Sequence, residues 1–141
     1  MRLKAMIVCA LLLLAVLVAR AQEADLSENL FPPELIMQYQ QALGLSEEQK
    51  NYFKTEIRKT QVLLTETQWK LEDGVEKIAA LLKTDQTQIN EQTVIAQLDK
   101  VLSLEQDIKR TQLVLLIRLK NKLTPEQQAR LRELKAKQQG K

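Results

Sequence analysis

The sequence predicts an all-α protein built around a long antiparallel helical hairpin, with a short helix on either side. The chain has 141 residues, enough for one domain of ordinary size. It contains only three Gly and three Pro, while Leu, Gln, Lys and Glu are frequent, and such straight-chain residues keep most of their rotamer freedom in a helix. An all-β fold needs β-branched and aromatic segments divided by Gly-rich turns, and the sequence has none.

The first 21 residues have the organisation of a secretory signal peptide. Arg2 and Lys4 form a positive start, an apolar run extends from Ala5 to Ala19, and Ala-Arg-Ala at 19–21 places small residues where signal peptidase reads them. The competing interpretation is an uncleaved anchor, but this run would span about 22 Å, short of the roughly 30 Å hydrocarbon layer. We therefore expect export and cleavage after Ala21.

Removing this segment changes what the composition implies. It contains Arg2, Lys4 and Arg20 and no acid, so the 21 basic side chains fall to 18 and equal the 18 acidic ones. Cys9 is the one cysteine of the chain, and there is no His. Histidine-dependent catalysis, a Cys/His zinc site and a disulfide framework are therefore excluded. Nucleic acid is not an expected partner, because the exported chain is neutral overall.

The remaining charges are unevenly distributed. Residues 22–49 contain six acids and no base, whereas residues 109–141 contain ten bases and two acids. This asymmetry predicts that the two ends meet, within one chain or between chains, or that the basic end faces an anionic partner.

The helical domain is expected to cover residues 34–138. Before it, the acidic residues 22–33 end in Phe-Pro-Pro, which indicates an extended lead-in. A first short helix is expected from Glu34 to Leu43, with its apolar side chains on one side and Gly44 as its C-cap.

Two long helices are predicted next, from about Glu47 to Leu82 and from about Glu91 to Asn121, with a turn at 83–89 and Asn90 as the N-cap of the second. Mostly apolar residues recur in steps of four and three, which is typical of a coiled-coil-like seam. The seam positions are Phe53, Ile57, Thr60, Leu64, Thr67, Leu71, Gly74, Ile78 and Leu81, then Val94, Leu98, Val101, Glu105, Ile108, Gln112, Leu115 and Leu119. Two rods joined by a short turn form an antiparallel hairpin.

A last short helix is expected from Pro125 to about Lys137, and its start repeats the start of the first long helix. The motif residues are Leu45, Ser46 and Gln49 in the first copy, and Leu123, Thr124, Pro125 and Gln127 in the second. In each copy the hydroxyl caps the helix, and the Gln three positions later reaches back to the cap amide, which completes a capping box. Proline suits the first helical position, because its missing N–H is not needed there. A capping box alone contributes about 1 kcal/mol of stability and no chemistry.

With these two motifs the sequence resembles the Spy/CpxP family of periplasmic stress proteins, named for a twice-occurring Leu-Thr-x-x-Gln motif, and the related heavy-metal-resistance proteins of the ZraP and CnrX type. The resemblance covers residues 35–134. The second motif matches fully, and the first has Ser46 where Thr is usual, a mild departure because both residues cap helices. The resemblance implies a helical hairpin that dimerises into a thin curved cradle. In the Spy branch this cradle is an ATP-independent chaperone, and in the other branch related proteins bind metals or report on them to a sensor.

Side-chain chemistry separates the two branches. Zinc, nickel, cobalt and copper sites use imidazole, thiolate or thioether ligands, and beyond residue 21 the chain has no His, no Cys and the single Met37. Oxygen-only sites suit calcium or magnesium, but no run of acids has the spacing of a calcium loop. We therefore expect no metal site and no cofactor.

Four mid-helix residues have two interpretations each. Trp69 is either a client-binding aromatic or part of the hairpin packing, and packing is favoured. Glu105 and Gln112 are either a catalytic carboxylate or client anchor or, as favoured here, a polar layer that fixes helix register, with Glu105 able to pair with Lys109 one turn on. Gly74 indicates a bend or a close helix crossing, because glycine is costly inside a helix.

A second apolar surface is expected besides the seam, because the segment 113–117 is apolar on all sides and must contact the short helices, a second chain or clients. The candidate client or dimer surface consists of Leu113, Leu116, Ile117, Arg110, Arg118 and Lys120. Further apolar residues outside the seam are Tyr52, Leu63, Val75, Leu82, Ile95 and Leu102. Burying a Leu or Ile contributes about 1.5–3 kcal/mol, so a homodimer of antiparallel hairpins is expected.

The sequence has no phosphate-binding loop, nucleophile–base pair or cofactor motif, so an enzyme is not expected. The leading hypothesis is a periplasmic ATP-independent chaperone or envelope-stress protein that binds unfolded or partly folded proteins. The alternative is an adaptor or sensor accessory in metal resistance or envelope stress, which docks on a membrane sensor or anti-sigma partner.

Overall fold

A computed structural model describes residues 29–83, 85 and 88–140. These residues form four α-helices and no strand, which confirms the all-α prediction. The helices are α1 (Pro33–Gln38), α2 (Glu47–Leu82), α3 (Glu91–Lys122) and α4 (Pro125–Gln139). The predicted signal peptide, its cleavage after Ala21 and most of the acidic lead-in lie outside the described residues. Within the described part, no helix combines the length and the apolar character needed to cross a membrane.

Helices α2 and α3 form the predicted antiparallel hairpin. Their contacts pair the start of α2 with the end of α3, as between Glu48 and Lys122, and the later part of α2 with the early part of α3, as between Gly74 and Gln97. The predicted seam of α2 is confirmed, because its positions from Phe53 to Leu81 are all buried or half-buried. With 36 residues, α2 is about 54 Å long.

The seam of α3 differs from the prediction at three positions. The half-buried residues are Gln97, Leu104 and Thr111, and the exposed ones, predicted to be in the seam, are Leu98, Glu105 and Gln112. The favoured interpretation of Glu105 and Gln112 as a polar layer inside the hairpin is therefore wrong. Two neighbouring registers fit the apolar spacing of α3 equally well. In the observed register, Gln97 Nε2 donates a hydrogen bond of 3.3 Å to the carbonyl oxygen of Gly74.

The hairpin helices cross closely at Gly74. This residue is buried, and a Cβ atom added to it would lie 2.9 Å from Cγ2 of Val101, nearer than two carbon atoms normally approach. Val101 itself is buried in the same contact. Of the two roles considered for Gly74, the structure supports the close crossing.

The hydrophobic core lies at the end of the hairpin where both short helices pack, and we call this end the base. Every helix contributes to it, together with Phe31 before α1 and three residues in the connections between helices. The core residues are Phe31, Leu35, Ile36, Leu43, Leu45, Phe53, Leu115, Leu119, Leu123 and Leu131. We call the opposite end the tip. There Val75, Leu82 and Ile95 are each about half exposed, so the tip has far less apolar packing than the base.

The first helix is shorter than predicted, because residues 39–44 form turns in place of its second half. Gly44 has a φ of 59°, which glycine adopts without strain. Its N–H donates to Gln41 O at 3.0 Å, and the N–H of Leu45 donates to Gln40 O at 3.2 Å. This pair of bonds is the Schellman pattern, so Gly44 closes the segment as predicted. The turns allow both ends of the segment to reach the core.

Candidate functional site

Both predicted capping boxes are present. Ser46 Oγ accepts from the N–H of Gln49 at 3.1 Å, and Gln49 Oε1 accepts from the N–H of Ser46 at 3.0 Å. Thr124 and Gln127 make the same two bonds at 3.2 and 3.0 Å. Pro125 occupies the first position of α4, as predicted. These local bonds explain why α2 and α4 begin where they do.

The two boxes also bind each other across the base, in an arrangement we call the glutamine clasp. Gln49 Nε2 donates to Gln127 Oε1 at 2.8 Å, and Gln127 Nε2 donates back to Gln49 Oε1 at 3.1 Å. Each amide also donates to a backbone carbonyl oxygen, that of Lys122 at 2.9 Å and that of Leu43 at 3.3 Å. The clasp therefore joins the start of α2, the end of α3, the start of α4 and the turn after α1.

The clasp uses the full ordinary hydrogen-bonding capacity of two side-chain amides. Each oxygen accepts two bonds and each amino group donates two. Gln49 is only 9% exposed, and a buried polar group is tolerated when all its partners are present. No group here has the character of an acid, base or nucleophile, so the clasp holds the base together. The sequence predicts each box, and the shared Gln of both motifs is the one sequence signal of their pairing.

Two ion pairs lie between α2 and α3 at the base, and one of them joins the acidic segment 22–49 to the basic segment 109–141. Lys122 Nζ lies 2.7 Å from Glu48 Oε1 and 5.2 Å from the centre of the Tyr52 ring. Arg118 Nη1 lies 2.8 Å from Glu56 Oε2. The hydrogen bond from Lys122, together with its charge, lowers the pKa of the Glu48 carboxyl below its ordinary value. The two ends of the chain thus meet within one molecule, one of the three predicted alternatives.

The apolar segment 113–117, which includes Leu113, Leu116 and Ile117 of the candidate client or dimer surface, is divided between core and solvent. Leu115 lies in the core, and Leu116 is half-buried. Leu113, Val114 and Ile117 are exposed by 38%, 37% and 42%. Part of the segment therefore packs on the base, and part remains available for another molecule.

The basic half of that surface is mostly engaged within the chain. Arg118 forms the ion pair described above, and Lys120 Nζ donates to the carbonyl oxygen of Asn29 at 2.8 Å. Arg110 Nη1 lies 3.5 Å from Asp107 Oδ1, and both side chains are exposed. Of the three predicted basic residues, Arg110 is the one that faces solvent away from the base.

An exposed stripe runs along α3 beside the buried positions that contact α2. Residues three or four positions apart lie on the same side of a helix. The members of this stripe are Ile95, Leu98, Leu102, Glu105, Lys109, Leu113 and Ile117, all exposed. We call this set the α3 stripe. Its apolar members range from 37% exposed at Leu98 to 46% at Ile95, so the hairpin does not cover them.

Trp69 lies on α2 and is 63% exposed, so the favoured interpretation of hairpin packing is wrong. Val62, one heptad earlier on the same side of α2, is 56% exposed. The two Phe and two Tyr residues of the chain are buried or half-buried. The predicted seam of α2 does not include Trp69, and this periodicity is the sequence feature that indicated its exposure.

No family model matches the chain, and no significant match to it is found among curated proteins or among solved structures. Within 29–140, apart from the gaps at 84 and 86–87, no three carboxylate or thiol groups lie close enough together to hold a metal ion. The features with functional potential are therefore the glutamine clasp, the α3 stripe and the exposed side chains of α2.

Proposed function

We propose that this chain is an exported ATP-independent chaperone or envelope-stress protein that binds unfolded or partly folded proteins on the outside of its hairpin. The observation that carries the proposal is the number of large apolar side chains left in solvent along both long helices and the turn between them. They are Val62, Leu63, Trp69, Val75, Leu82, Ile89, Ile95, Leu98, Leu102, Leu113, Val114 and Ile117. Monomeric soluble proteins rarely expose a large contiguous apolar patch unless another molecule contacts it, and five of these side chains, Ile95, Leu98, Leu102, Leu113 and Ile117, share the α3 stripe.

Such a surface suits clients of many sequences. Apolar contact is not directional, so it does not require a matching pattern of hydrogen bonds. Charged residues between the apolar ones add attraction that weakens with salt. The resemblance of the two Leu-Ser/Thr-x-x-Gln motifs to those of the Spy/CpxP family supports the same function.

The proposed location is the periplasm, and the proposed working unit is a homodimer of cradle-like shape, as the resemblance implies. The location depends on residues 1–21, whose organisation is that of a signal peptide. The intact mass of the exported protein tests it. A chain that begins at Gln22 is expected, and a chain that retains residues 1–21 would contradict export with cleavage.

The chaperone activity is tested by light scattering from a chemically denatured, tryptophan-free client diluted into buffer without ATP. We expect the purified protein, from equimolar to about threefold excess, to slow aggregation, with the effect weakening as salt is added. Because Trp69 is the one tryptophan of the chain, its emission also reports whether the client contacts α2.

A pair of variants locates the surface. Trp69→Gln removes the exposed ring and is expected to weaken the protection about two- to threefold, because aromatic rings provide large apolar contacts. Gln68→Ala changes an exposed neighbour and is expected to leave protection unchanged. If aggregation proceeds unaltered at several-fold excess of the native chain, the chaperone proposal fails and the adaptor alternative is favoured.

A further inference from the structure

The order of apolar and charged residues along the α3 stripe is nearly the same when it is followed from either end. Apolar residues occupy its two ends, and its middle holds one acid and one base, Glu105 and Lys109. A second copy related by a two-fold axis near residue 107 would run antiparallel along the stripe. With the axis between residues 107 and 108, Leu98 would face Ile117 and Leu102 would face Leu113, and Glu105 would lie within one residue of facing Lys109, each pair formed twice. We propose that the α3 stripe is the contact surface between two copies of this chain.

The two charges of the stripe have no partner among the residues that the structure describes. Glu105 and Lys109 are exposed, and no hydrogen bond or ion pair joins either of them to any residue that the structure describes. Their predicted pairing with each other, one turn apart, does not form. In the antiparallel arrangement each acid would meet the base of the second copy, which satisfies both charges.

The same charges select the orientation. A parallel arrangement in register would place Glu105 against Glu105 and Lys109 against Lys109 of the second copy, so that like charges repel at the centre of the contact. Complementary charges along a helical seam are a known determinant of partner and orientation. The stripe therefore favours one register and one direction.

The outer side of α2 does not offer an equivalent contact. Its exposed apolar residues Val62 and Trp69 are separated by polar and charged residues, and they do not form a stripe that matches itself when reversed. Self-association through α3 would leave these two side chains accessible. The interface is independent of the chaperone activity proposed above, although it would build the proposed homodimer.

Charge reversal tests the contact. Sedimentation equilibrium is expected to show a dimer of the native chain at micromolar concentration. Glu105→Lys and Lys109→Glu should each raise the dimer dissociation constant about tenfold or more, because each change turns two facing attractions into repulsions. The double reversal, and an equimolar mixture of the two single variants, should both restore association, since opposite charges then face each other again.

A matched control uses another exposed acid–base pair with the same spacing, Glu66 and Lys70 on α2. Neither has an ion pair among the described residues. Glu66→Lys and Lys70→Glu should therefore leave the dissociation constant unchanged within about twofold, as is usual for surface charges outside an interface.

Cross-linking tests the register in a background in which Cys9→Ser removes the native thiol. Leu102 and Leu113 are eleven residues apart on one helix, or about 16 Å, beyond the roughly 7 Å between Cα atoms that a disulfide can span. The double variant Leu102→Cys/Leu113→Cys should form a covalent dimer on mild oxidation, and each single variant should not.

The proposal is overturned if the native chain sediments as a monomer throughout, if a single charge reversal sediments like the native chain, or if the mixed variants remain monomeric. Single cysteine variants that cross-link as readily as the double variant would overturn the register. The aggregation assay, run on the native chain and on Glu105→Lys, reports separately on the chaperone proposal. Loss of the dimer and loss of protection are therefore distinguishable.

Discussion

At the scale of single residues, Gln49 links the start of α2 to the end of α3 and to α4 through one side-chain amide. A glutamate there would keep the cap bond but would have no N–H to donate to Lys122 O or to Gln127 Oε1. An asparagine would be one methylene too short to span both. The position therefore requires both the length and the amino group of glutamine.

Replacing Gln49 by Ala is expected to lower the free energy of unfolding by about 2–3 kcal/mol. The change removes the side-chain half of one capping box, leaves the Lys122 carbonyl without the Gln49 bond, and takes one of the two bonds from each polar atom of the Gln127 amide. Urea denaturation followed by circular dichroism measures the loss. Gln138→Ala is the control, because this exposed amide makes a single hydrogen bond of 3.4 Å. This variant should lower the free energy of unfolding by no more than about 0.5 kcal/mol. Equal costs for both variants would show that the clasp does not stabilise the base.

Glu48 is expected to give the folded chain a pH dependence of defined sign. Its pKa is lowered from the ordinary 4.5 by the hydrogen bond and charge of Lys122, and Lys50 acts in the same way on Glu47. A carboxyl with a lower pKa in the folded state contributes stability above its unfolded pKa and loses it as pH falls through the folded value.

Glu48→Gln should therefore lower the urea midpoint at neutral pH, and the difference from the native chain should vanish in strongly acidic solution. Urea titrations at several pH values measure this. Glu72→Gln, at an exposed carboxylate without an ion pair among the described residues, should lower the midpoint little at any pH. A Glu48→Gln difference that persists or grows in acid would contradict the assigned role of Lys122.

At the scale of elements, the crossing of α2 and α3 depends on a missing side chain. Glycine costs about 1 kcal/mol relative to alanine inside a helix, so its presence in the middle of α2 must be offset by packing. The space that Gly74 leaves is filled by Val101 Cγ2, and the neighbouring carbonyl accepts the Gln97 bond. The close packing of α3 on α2 thus offsets the free-energy cost of glycine inside the helix.

Gly74→Ala is expected to destabilise the chain by about 1 kcal/mol. The added methyl group would meet Val101, whose branched side chain has one preferred rotamer in a helix, and overpacking of about 1–3 kcal/mol exceeds the gain in helix propensity. Val101→Ala in the same chain should recover most of the loss, which a double-mutant cycle of urea unfolding measures. If Gly74→Ala alone is stabilising, the helices do not cross as closely as the structure shows.

At the scale of the whole molecule, the packing is concentrated at one end. Ten core residues surround the base, whereas the tip has exposed apolar residues and few buried ones. Local opening requires least free energy where the fewest apolar contacts are lost. The tip is therefore the part of the hairpin most able to separate its helices, and under the proposed chaperone function it is the part that would adapt to a client.

Hydrogen exchange followed by mass spectrometry should reveal this gradient. Amides at 49–57 and 115–122 are expected to exchange slowest, and those at 75–82 and 91–98 fastest among the two long helices. The Glu105→Lys variant is the suitable sample, because association through the α3 stripe would add protection of its own. Uniform protection along both helices would contradict a base-centred core.

The sequence by itself determined the fold class and most helix boundaries. The starts of α2, α3 and α4 depend on the N-cap residues Ser46, Asn90 and Thr124. Each side-chain oxygen accepts a hydrogen bond from the backbone N–H of the residue three positions later. Such bonds act within one turn, so they can be predicted without knowledge of the rest of the fold. The observed bounds of α2, Glu47–Leu82, are the predicted ones. The seam of α2 follows from periodicity for the same reason.

Only the tertiary structure decided how these elements meet. Spacing alone allowed either Leu98 or Gln97 to face α2, and the choice depends on the carbonyl of Gly74 on the other helix. The clasp between Gln49 and Gln127 joins residues 78 positions apart, beyond the reach of any local pattern. These features arise from contacts between distant segments, which a linear pattern permits but does not select.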